Sequence, residues 1–179
     1  MINSQSDQEL ITESRNGDML AFKVLVERYE GKVAGVIKSM LGDTPESSDV
    51  GQDVFIRFYE SLEKFRGESS LATYLIRIAI NLSLNELKRM KRKKYFFRPE
   101  KDGLHVNTQE RNYDLKEIVD YEVARLDPDF RVVVMLRMIE GYSTEETAEI
   151  LNIPLGTVLS RLSRAQKKLR LVLTKHFDV

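Results

Sequence analysis

The sequence predicts an all-α protein with two helical domains joined by a flexible linker. Over most of its 179 residues, apolar side chains recur every three or four positions, which is the period of an amphipathic helix. Capping residues before these stretches, and glycine or proline after them, divide the chain into separate helices. The segment 98–112 lacks this period and holds Pro99 and Gly103 among mixed charges. This composition indicates a linker between domains at 1–97 and 113–179.

The first domain is expected to begin with two helices. Ser6 and Glu9 have the spacing of a capping box, which starts the first helix, and Gly17 ends it. Asp18 is placed to cap a long second helix, which the break at Gly42–Pro45 ends.

Two more helices follow in the same domain. The third is expected to start at Ser48 or Asp49 and to end before the polar loop 66–70. The fourth is expected over 71–94, where it runs into a basic end. The inward stripes of the second to fourth helices form the candidate core: Phe22, Leu25, Val26, Tyr29, Val33, Val36, Ile37, Leu41, Val50, Val54, Phe55, Phe58, Leu62, Leu71, Tyr74, Leu75, Ile78, Ala79 and Leu82.

The second domain is also expected to be helical. An apolar stripe runs from Leu115 to Leu126, and Asp127 with Pro128 looks like the N-cap and first position of the next helix. The β-branched run 132–134 could form a strand by itself. Since no partner strand is visible, we predict a helix that ends at Gly141.

The segment 142–170 has the pattern of a helix-turn-helix. Ser143 and Glu146 form a capping box for a short acidic helix, and Pro154 forces a turn at 152–155. A long helix follows from Gly156, with a buried stripe of Val158, Leu162, Ala165 and Leu169.

The outward face of this last helix is polar and positive. No acidic residue occurs from Thr157 to His176, while Arg164, Lys167 and Lys168 face outward. A polar support helix followed by a cationic helix is how many proteins enter the DNA major groove. An ordinary helical hairpin with a solvated charged face is the alternative.

Charge is segregated along the chain although the formal net charge is zero. The segment 88–101 holds eight basic residues and one acid, whereas 109–129 holds seven acids and three basic residues. Because a polyanion responds to local charge, two basic zones separated by an acidic zone are compatible with DNA binding.

Composition excludes several other classes of protein. There are no cysteines, which rules out disulfides and thiolate sites, and the two histidines, His105 and His176, lie in the linker and the tail. We therefore expect no enzyme activity, no metal and no cofactor. Neither a signal peptide nor a membrane-length apolar stretch is visible, so we expect a cytoplasmic protein.

Nearly the whole chain resembles one protein family. The resemblance is carried by three segments in order, with one linker before the last: ELITESRNGDMLAFKVLVERYEGKV, SSDVGQDVFIRFYESLEKFRGESSLATYLIRIAINLSLNELKR and LDPDFRVVVMLRMIEGYSTEETAEILNIPLGTVLSRLSRAQKKL. They are similar to bacterial sigma factors of the extracytoplasmic-function type. The resemblance implies a sigma-2-like domain at 1–97, which docks on core RNA polymerase and opens the −10 element, and a sigma-4-like domain at 113–179, which reads the −35 element.

The resemblance also assigns roles to residues of the first domain. It implies that Asp49, Gln52 and Asp53 dock against the clamp coiled coil of the largest polymerase subunit. Without the resemblance, the same three residues would be interpreted as solvated residues on a helix surface. It assigns capture of an unpaired −10 base to the loop of Phe65, Arg66, Gly67, Glu68, Ser69 and Ser70, which is otherwise a simple turn. A polar loop with a glycine suits a flipped base edge.

One edge of the fourth helix is expected to lie beside the separated −10 strands. Its residues recur at three- and four-residue intervals: Tyr74, Arg77, Asn81, Asn85 and Lys88. Tyr74 stands where the family usually has tryptophan, and it could instead belong to the core. A nonspecific phosphate anchor is expected next, formed by Lys91, Arg92, Lys93 and Lys94.

In the last helix, the resemblance separates base contacts from phosphate contacts. Leu159, Ser160 and Ser163 would face bases. The phosphate contacts would be Thr157, Arg161, Arg164 and Lys167. Many relatives have arginine or lysine in place of Leu159, whereas leucine offers only apolar contact, for example to a thymine methyl. A different −35 preference is therefore expected.

The expected partners are core RNA polymerase, including the flap of its second-largest subunit, promoter DNA and an anti-sigma protein. Such a protein could also hold the chain at the inner membrane face. No small-molecule substrate is expected. The alternative is a one-component helix-turn-helix transcriptional regulator, which would bind promoter duplex without core polymerase.

Overall fold

The computed structural model describes residues 5–96 and 115–177, and the described residues form helices and no strand. The predicted linker at 98–112 lies outside the described residues. The first domain contains helices α1 to α4 and a 3₁₀ turn at Leu62–Lys64 between the last two: α1 Asp7–Arg15, α2 Met19–Leu41, α3 Pro45–Ser61 and α4 Leu71–Phe96. The second domain contains α5 Leu115–Arg125, α6 Pro128–Val134, a π-helical continuation Met135–Ile139, α7 Thr144–Leu151 and α8 Leu155–Phe177.

Three of the predicted N-caps are confirmed. The Ser6 side chain accepts from the Glu9 amide, and the Ser143 side chain accepts from the Glu146 amide, each within a complete capping box. The Asp18 carboxylate accepts from the amides of Leu20 and Ala21. These bonds satisfy amides that the first turn of a helix leaves without partners.

The predicted start of α3 is wrong. The helix begins at Pro45, with Thr44 as its N-cap and Ser47 completing a capping box, rather than at Ser48 or Asp49. Proline suits the first helical position because its fixed φ is already helical and no amide is needed there. Pro45 therefore starts α3 as well as following the end of α2.

The core of the first domain lies between α1, α2, α3 and α4. Phe58 is fully buried, and its ring contacts those of Phe22, Phe65 and Tyr74 at centroid distances of 5.8, 6.3 and 6.2 Å. Aromatic pairs at such distances stabilise a core beyond the area that they bury. This cluster joins α2 and α3 to the start of α4.

In the second domain, the run 132–134 is helical and buried, as predicted. Asp127 precedes α6 but makes no capping bond through its side chain. Beyond Val134 the helix widens into the π segment, where the Glu140 amide donates to the Met135 carbonyl at 2.9 Å. Val123, Leu126, Val134 and Ala165 then form a core between α5, α6 and α8.

The two domains contact each other. Val132, Met135, Leu136 and Ile150 belong to the same buried cluster as the first-domain core. Arg131 crosses this boundary: its Nη1 donates to the Met40 carbonyl at 2.7 Å, at the end of α2. None of the described helices combines the length and apolarity that crossing a bilayer needs.

Candidate nucleic-acid interface

The outer face of α3 is acidic, with apolar residues next to the acids. Asp49, Gln52 and Asp53 are exposed, while Val50 and Val54 on the other face are buried. Further along α3, Ile56 and Tyr59 keep 54% and 44% of their surface exposed. A groove of about 550 Å³ lies alongside, between α2 and α3, with Val26, Gln52 and Phe55 in its lining. This face therefore offers charge, amide and apolar contacts together.

The loop before α4 divides into a packed entrance and an exposed centre. Phe65 is 9% exposed and its ring lies 4.9 Å from that of Tyr74, so its side chain belongs to the core. Arg66 and Glu68 are exposed and only 3.9 Å apart, on either side of Gly67, whose φ of 71° is left-handed. Such a φ favours glycine.

The far end of the loop is held by α4. The Ser70 hydroxyl accepts from the Thr73 amide at 3.1 Å and also contacts the Thr73 hydroxyl at 2.9 Å. This local bond satisfies a first-turn amide of α4. The residues between the buried Phe65 and the capping Ser70 are those of 66–69, and Ser70 itself is also exposed.

The predicted row on α4 falls into two parts. Asn81, Asn85 and Lys88 are exposed. Tyr74 is half-buried, and its hydroxyl is 2.9 Å from that of Ser61. Its ring packs against the core of the first domain, which agrees with the alternative that Tyr74 is a core residue. The Arg77 Nη2 donates to the Glu149 carbonyl on α7 at 2.9 Å, so this guanidinium is engaged with the second domain.

The basic end of α4 continues this surface. Lys91 and Arg92 are exposed, and the Arg92 Nε donates a long bond of 3.4 Å to the Lys88 carbonyl. The side chains of Lys93 and Lys94 lie outside the described part of the chain. Two exposed cations thus follow Lys88 directly along the helix.

The helix-turn-helix is built by α7 and α8. Asn152 ends α7 in the left-handed conformation with φ 51°, and the Ile153 amide donates to the Ala148 carbonyl at 3.1 Å. The chain then turns into α8, where Val158 and Ala165 are fully buried. The turn residues thereby set which face of α8 points outward.

The exposed face of α8 contains most of the predicted −35 residues. Leu159 is 49% exposed, and four further side chains on this face are also exposed: Ser160, Ser163, Arg164 and Lys167. Thr157 and Arg161 are half-buried, and the Arg161 Nη2 lies 3.2 Å from the Asp129 carboxylate.

One cation at the edge of this face is held by an acid of the same domain. The Lys168 Nζ donates to the Asp127 carboxylate at 2.9 Å and lies 4.7 Å from the centre of the Phe130 ring. The hydrogen bond from Lys168 is the main reason that the pKa of Asp127 lies below its ordinary value. Arg164 and Lys167 are therefore better placed than Lys168 to receive phosphate.

Sequence reasoning missed several residues of this surface. Ile56 and Tyr59 are large apolar residues outside the inward stripe of α3, and that position is the signal that could have marked them as an exposed apolar patch. Away from this surface, Arg15 and Arg131 have contacts that no local pattern indicates. Within 5–96 and 115–177, no group of three or more potential ligands could hold a metal ion.

Comparison with known proteins identifies both domains. Residues 25–93 match sigma-70 region 2, and residues 116–169 match sigma-70 region 4. The chain is 36% identical over 182 residues to an ECF RNA polymerase sigma-E factor of Haemophilus influenzae, covering 93% of this chain and 95% of the relative. It is 33% identical over 180 residues to the RNA polymerase sigma-H factor of Pseudomonas aeruginosa, covering 93% of each.

Solved structures share the fold. CnrH, solved in complex with the cytosolic domain of CnrY, superposes with a TM-score of 0.67 at 26% identity, over 96% of this chain and 99% of that one. RpoE of Bartonella quintana, solved with NepR, gives a TM-score of 0.66 at 23% identity, over 86% and 96%.

Regions 2 and 4 in this order, on two helical domains, define a bacterial sigma factor of the sigma-70 type. The chain belongs to the extracytoplasmic-function family of these factors. It is therefore a DNA-binding and RNA polymerase-binding protein of transcription initiation, and the relatives named above are regulatory proteins.

Proposed function

We propose that this sigma factor selects promoters by reading −35 duplex with α8 and by capturing unpaired −10 bases of the non-template strand with loop 66–69 and α4. The observation that carries the proposal is the presence of two separate exposed polar surfaces, one on each domain. On α8 this surface has no acid from Thr157 to His176, and on α4 it presents Asn81, Asn85 and Lys88.

At the −35 element, the α8 surface combines a small set of base contacts with phosphate contacts. Leu159, Ser160 and Ser163 would meet base edges, while Thr157, Arg161, Arg164 and Lys167 would meet the backbone. Arg161 would have to exchange its ion pair with Asp129 for a phosphate. Since Leu159 cannot donate a hydrogen bond, it favours an apolar contact at its base pair.

At the −10 element, the protein acts by binding the open form. Stacking in duplex DNA is worth about 1.4 kcal/mol per step, so opening several steps needs compensating contacts to the unpaired strand. Asn81 and Asn85 can both donate to and accept from base edges, and Lys88, Lys91 and Arg92 can neutralise phosphates. Lys93 and Lys94 extend this phosphate anchor in the sequence.

The polymerase contacts are proposed on both domains. The face of α3 with Asp49, Gln52 and Asp53 would dock on the clamp coiled coil, with Ile56 and Tyr59 supplying apolar area. In the second domain, an apolar groove of about 550 Å³ between α5 and α8 would take the flap. Its lining includes Val119, Met138, Leu169 and Leu173.

An anti-sigma protein is proposed as a further partner. Among the solved structures that share the fold, the sigma factor RpoE of Bartonella quintana was solved in complex with the anti-sigma factor NepR, and CnrH with the cytosolic domain of CnrY. A partner of the same kind would cover polymerase-binding surfaces of this chain, and a membrane-linked one would hold it at the inner membrane face.

The test of the proposed function is transcription in vitro with purified core polymerase on a library of randomised promoters. We expect core-dependent transcription from templates that share two elements separated by a fixed spacer. Binding of the chain alone to promoter duplex, with no effect of core polymerase, would instead support a one-component regulator.

Docking through α3 has its own test. Asp53→Ala should weaken the affinity for core polymerase about tenfold, because an exposed charge facing a basic helix is lost. Fluorescence anisotropy of labelled protein titrated with core measures the affinity. Glu27→Ala, which removes an exposed acid from α2, is the control. Equal affinity of the Asp53 variant and the parent would contradict docking through this face.

A further inference from the structure

One arginine of α1 reaches the entrance of the −10 loop. Arg15 is the last residue of α1, and its Nε donates to the Leu62 carbonyl at 3.0 Å. Its Nη2 donates to the Phe65 carbonyl. Leu62 lies 47 residues and Phe65 lies 50 residues from Arg15 in sequence, and the two carbonyls belong to the segment that leads into loop 66–69.

We infer that Arg15 is a positioning residue that holds this loop in the shape that receives an unpaired −10 base. The inference rests on the proposed function and extends it to a residue outside the DNA-facing surface. Arg15 acts through the backbone of Leu62 and Phe65 and does not itself touch DNA.

The bonds of Arg15 go to backbone carbonyls at the end of a helical segment. α3 and the 3₁₀ turn end here, and helix ends leave carbonyls without amide partners. The Leu62 carbonyl accepts one bond from the Phe65 amide at 3.3 Å, and Arg15 supplies a second. A guanidinium presents its donors in a rigid planar fork, so one side chain can fix two carbonyls in relation to each other.

The support is rigid because α1 is itself anchored. Leu10 and Ile11 are buried, and the Asp7 carboxylate accepts from the Arg28 Nη1 at 2.6 Å and from the Tyr29 hydroxyl on α2. α1 also lies along the loop. The Gln8 Oε1 is 4.0 Å from the position that a Cβ on Gly67 would occupy.

The loop is therefore fixed at both ends and exposed in the middle. Arg15 holds the backbone at Phe65, and the cap at Ser70 joins the loop to α4. Ordering four residues only when a base arrives would reduce affinity, since conformational entropy must then be lost on binding. A loop that is already ordered avoids this loss.

The test separates base capture from general binding. Fork-junction DNA is prepared with the selected −10 element, and each unpaired non-template base in turn is replaced by an abasic site. The position at which the replacement weakens binding of the parent holoenzyme most defines the captured base. The ratio of abasic to intact dissociation constants at this position is the measured quantity.

Arg15→Gln and Arg15→Lys should lower this ratio about tenfold, since bonds from a charged donor to two carbonyls are lost or reduced to one. Lysine keeps the charge but lacks the planar fork, so it should not restore the ratio. Affinity for core polymerase should stay unchanged in both variants. Lys23→Gln, on the exposed surface of α2, should keep the parent ratio.

Two outcomes would overturn the inference. One is an unchanged ratio in both Arg15 variants, and the other is a full return of the ratio in Arg15→Lys. Failure of the proposed function would look different, because the parent holoenzyme itself would then show no position with a strong abasic effect.

Discussion

Glu9 shows how a single exposed carboxylate can determine a helix end. Its Oε2 accepts from the Ser6 amide at 2.7 Å and from the Ser6 hydroxyl at 2.8 Å. The bond from the Ser6 amide is the main reason that the pKa of Glu9 is below its ordinary value. Because the folded state holds the proton less tightly than the unfolded state, this contribution to stability is present above the ordinary pKa of 4.5 and is lost as pH falls through the lowered one.

We expect the start of α1 to loosen only when the pH falls below the ordinary glutamate pKa of 4.5. A titration followed by NMR, with the Glu9 side-chain carbon and the Ser6 amide as probes, should give one shared midpoint below that value. Glu9→Gln should remove the midpoint from the Ser6 amide. A Ser6 midpoint at or above 4.5 would contradict the capping role.

The exposed residues of α8 should differ in how they affect DNA binding. If Arg164 contacts phosphate as proposed, Arg164→Ala should weaken holoenzyme binding to all promoters similarly. The slope of log affinity against log salt should fall by about one. Binding to several promoters across a salt series measures both effects. A change of sequence preference would show that Arg164 contacts a base.

Leu159→Arg, in contrast, should change the sequence preference at the −35 element. An arginine here can donate to guanine in the major groove, so we expect one −35 position to shift toward guanine by about tenfold. Selection from a library randomised over the −35 element measures the shift. An unchanged base preference would place residue 159 away from the base edges.

At the scale of the element, Asn152 decides how α7 meets α8. Its φ of 51° lies in the left-handed region, which asparagine tolerates better than most residues and glycine tolerates freely. Asn152→Val should destabilise the protein by about 1–2 kcal/mol, whereas Asn152→Gly should be nearly neutral. Urea unfolding of the two variants measures the difference. Equal stability of both would mean that α7 does not need this turn.

Local signals in the sequence predicted most elements, because caps and apolar periods act within a few residues. Ser6, Asp18 and Ser143 start helices where their side chains predict. Pro45 was misinterpreted because proline is compatible with the residues after one helix and with the first turn of the next. No periodic signal in the sequence marks the π segment at Met135–Ile139.

The candidate surface was less predictable, because burial and distant contacts decide which of its residues are free. The pattern that placed Arg77 in the −10 row cannot show that it bonds to Glu149, 72 residues later. The same limit applies to Arg15. It also applies to Phe65, whose position in the loop sequence did not show that its ring is buried.

At the scale of the whole molecule, Arg131 joins the two domains. It is 9% exposed, and its guanidinium donates to the carbonyls of Met40, Ala124 and Leu126. These carbonyls lie at or just beyond the C-terminal ends of α2 and α5, where the helix dipole is negative and favours a cation. Burial lowers the pKa of Arg131, but arginine stays charged at neutral pH.

Arg131→Met should therefore destabilise the chain by about 3 kcal/mol, since it leaves buried carbonyls without donors. It should also uncouple the domains, which share one buried cluster in the parent. Hydrogen exchange of amides in α2 and α8 along a denaturant series should give one midpoint for the parent and two for the variant. Arg57→Met, an exposed change on α3, should retain one midpoint. A single midpoint in Arg131→Met would show that apolar contact alone couples the domains.

The bond from Arg77 to Glu149 links two events in the sigma factor, the contact between α4 and α7 and the binding of the unpaired −10 strand. If Arg77 is to hold a −10 phosphate, its Nη2 must first leave the carbonyl of α7, so strand capture and α4–α7 contact compete for one donor. The two equilibria are then linked: any partner that separates α4 from α7 raises the affinity for unpaired DNA. By reciprocity, unpaired DNA favours the separation by the same factor. If core polymerase separated α4 from α7 on binding both domains, it would thereby strengthen binding of the unpaired strand without contacting a base.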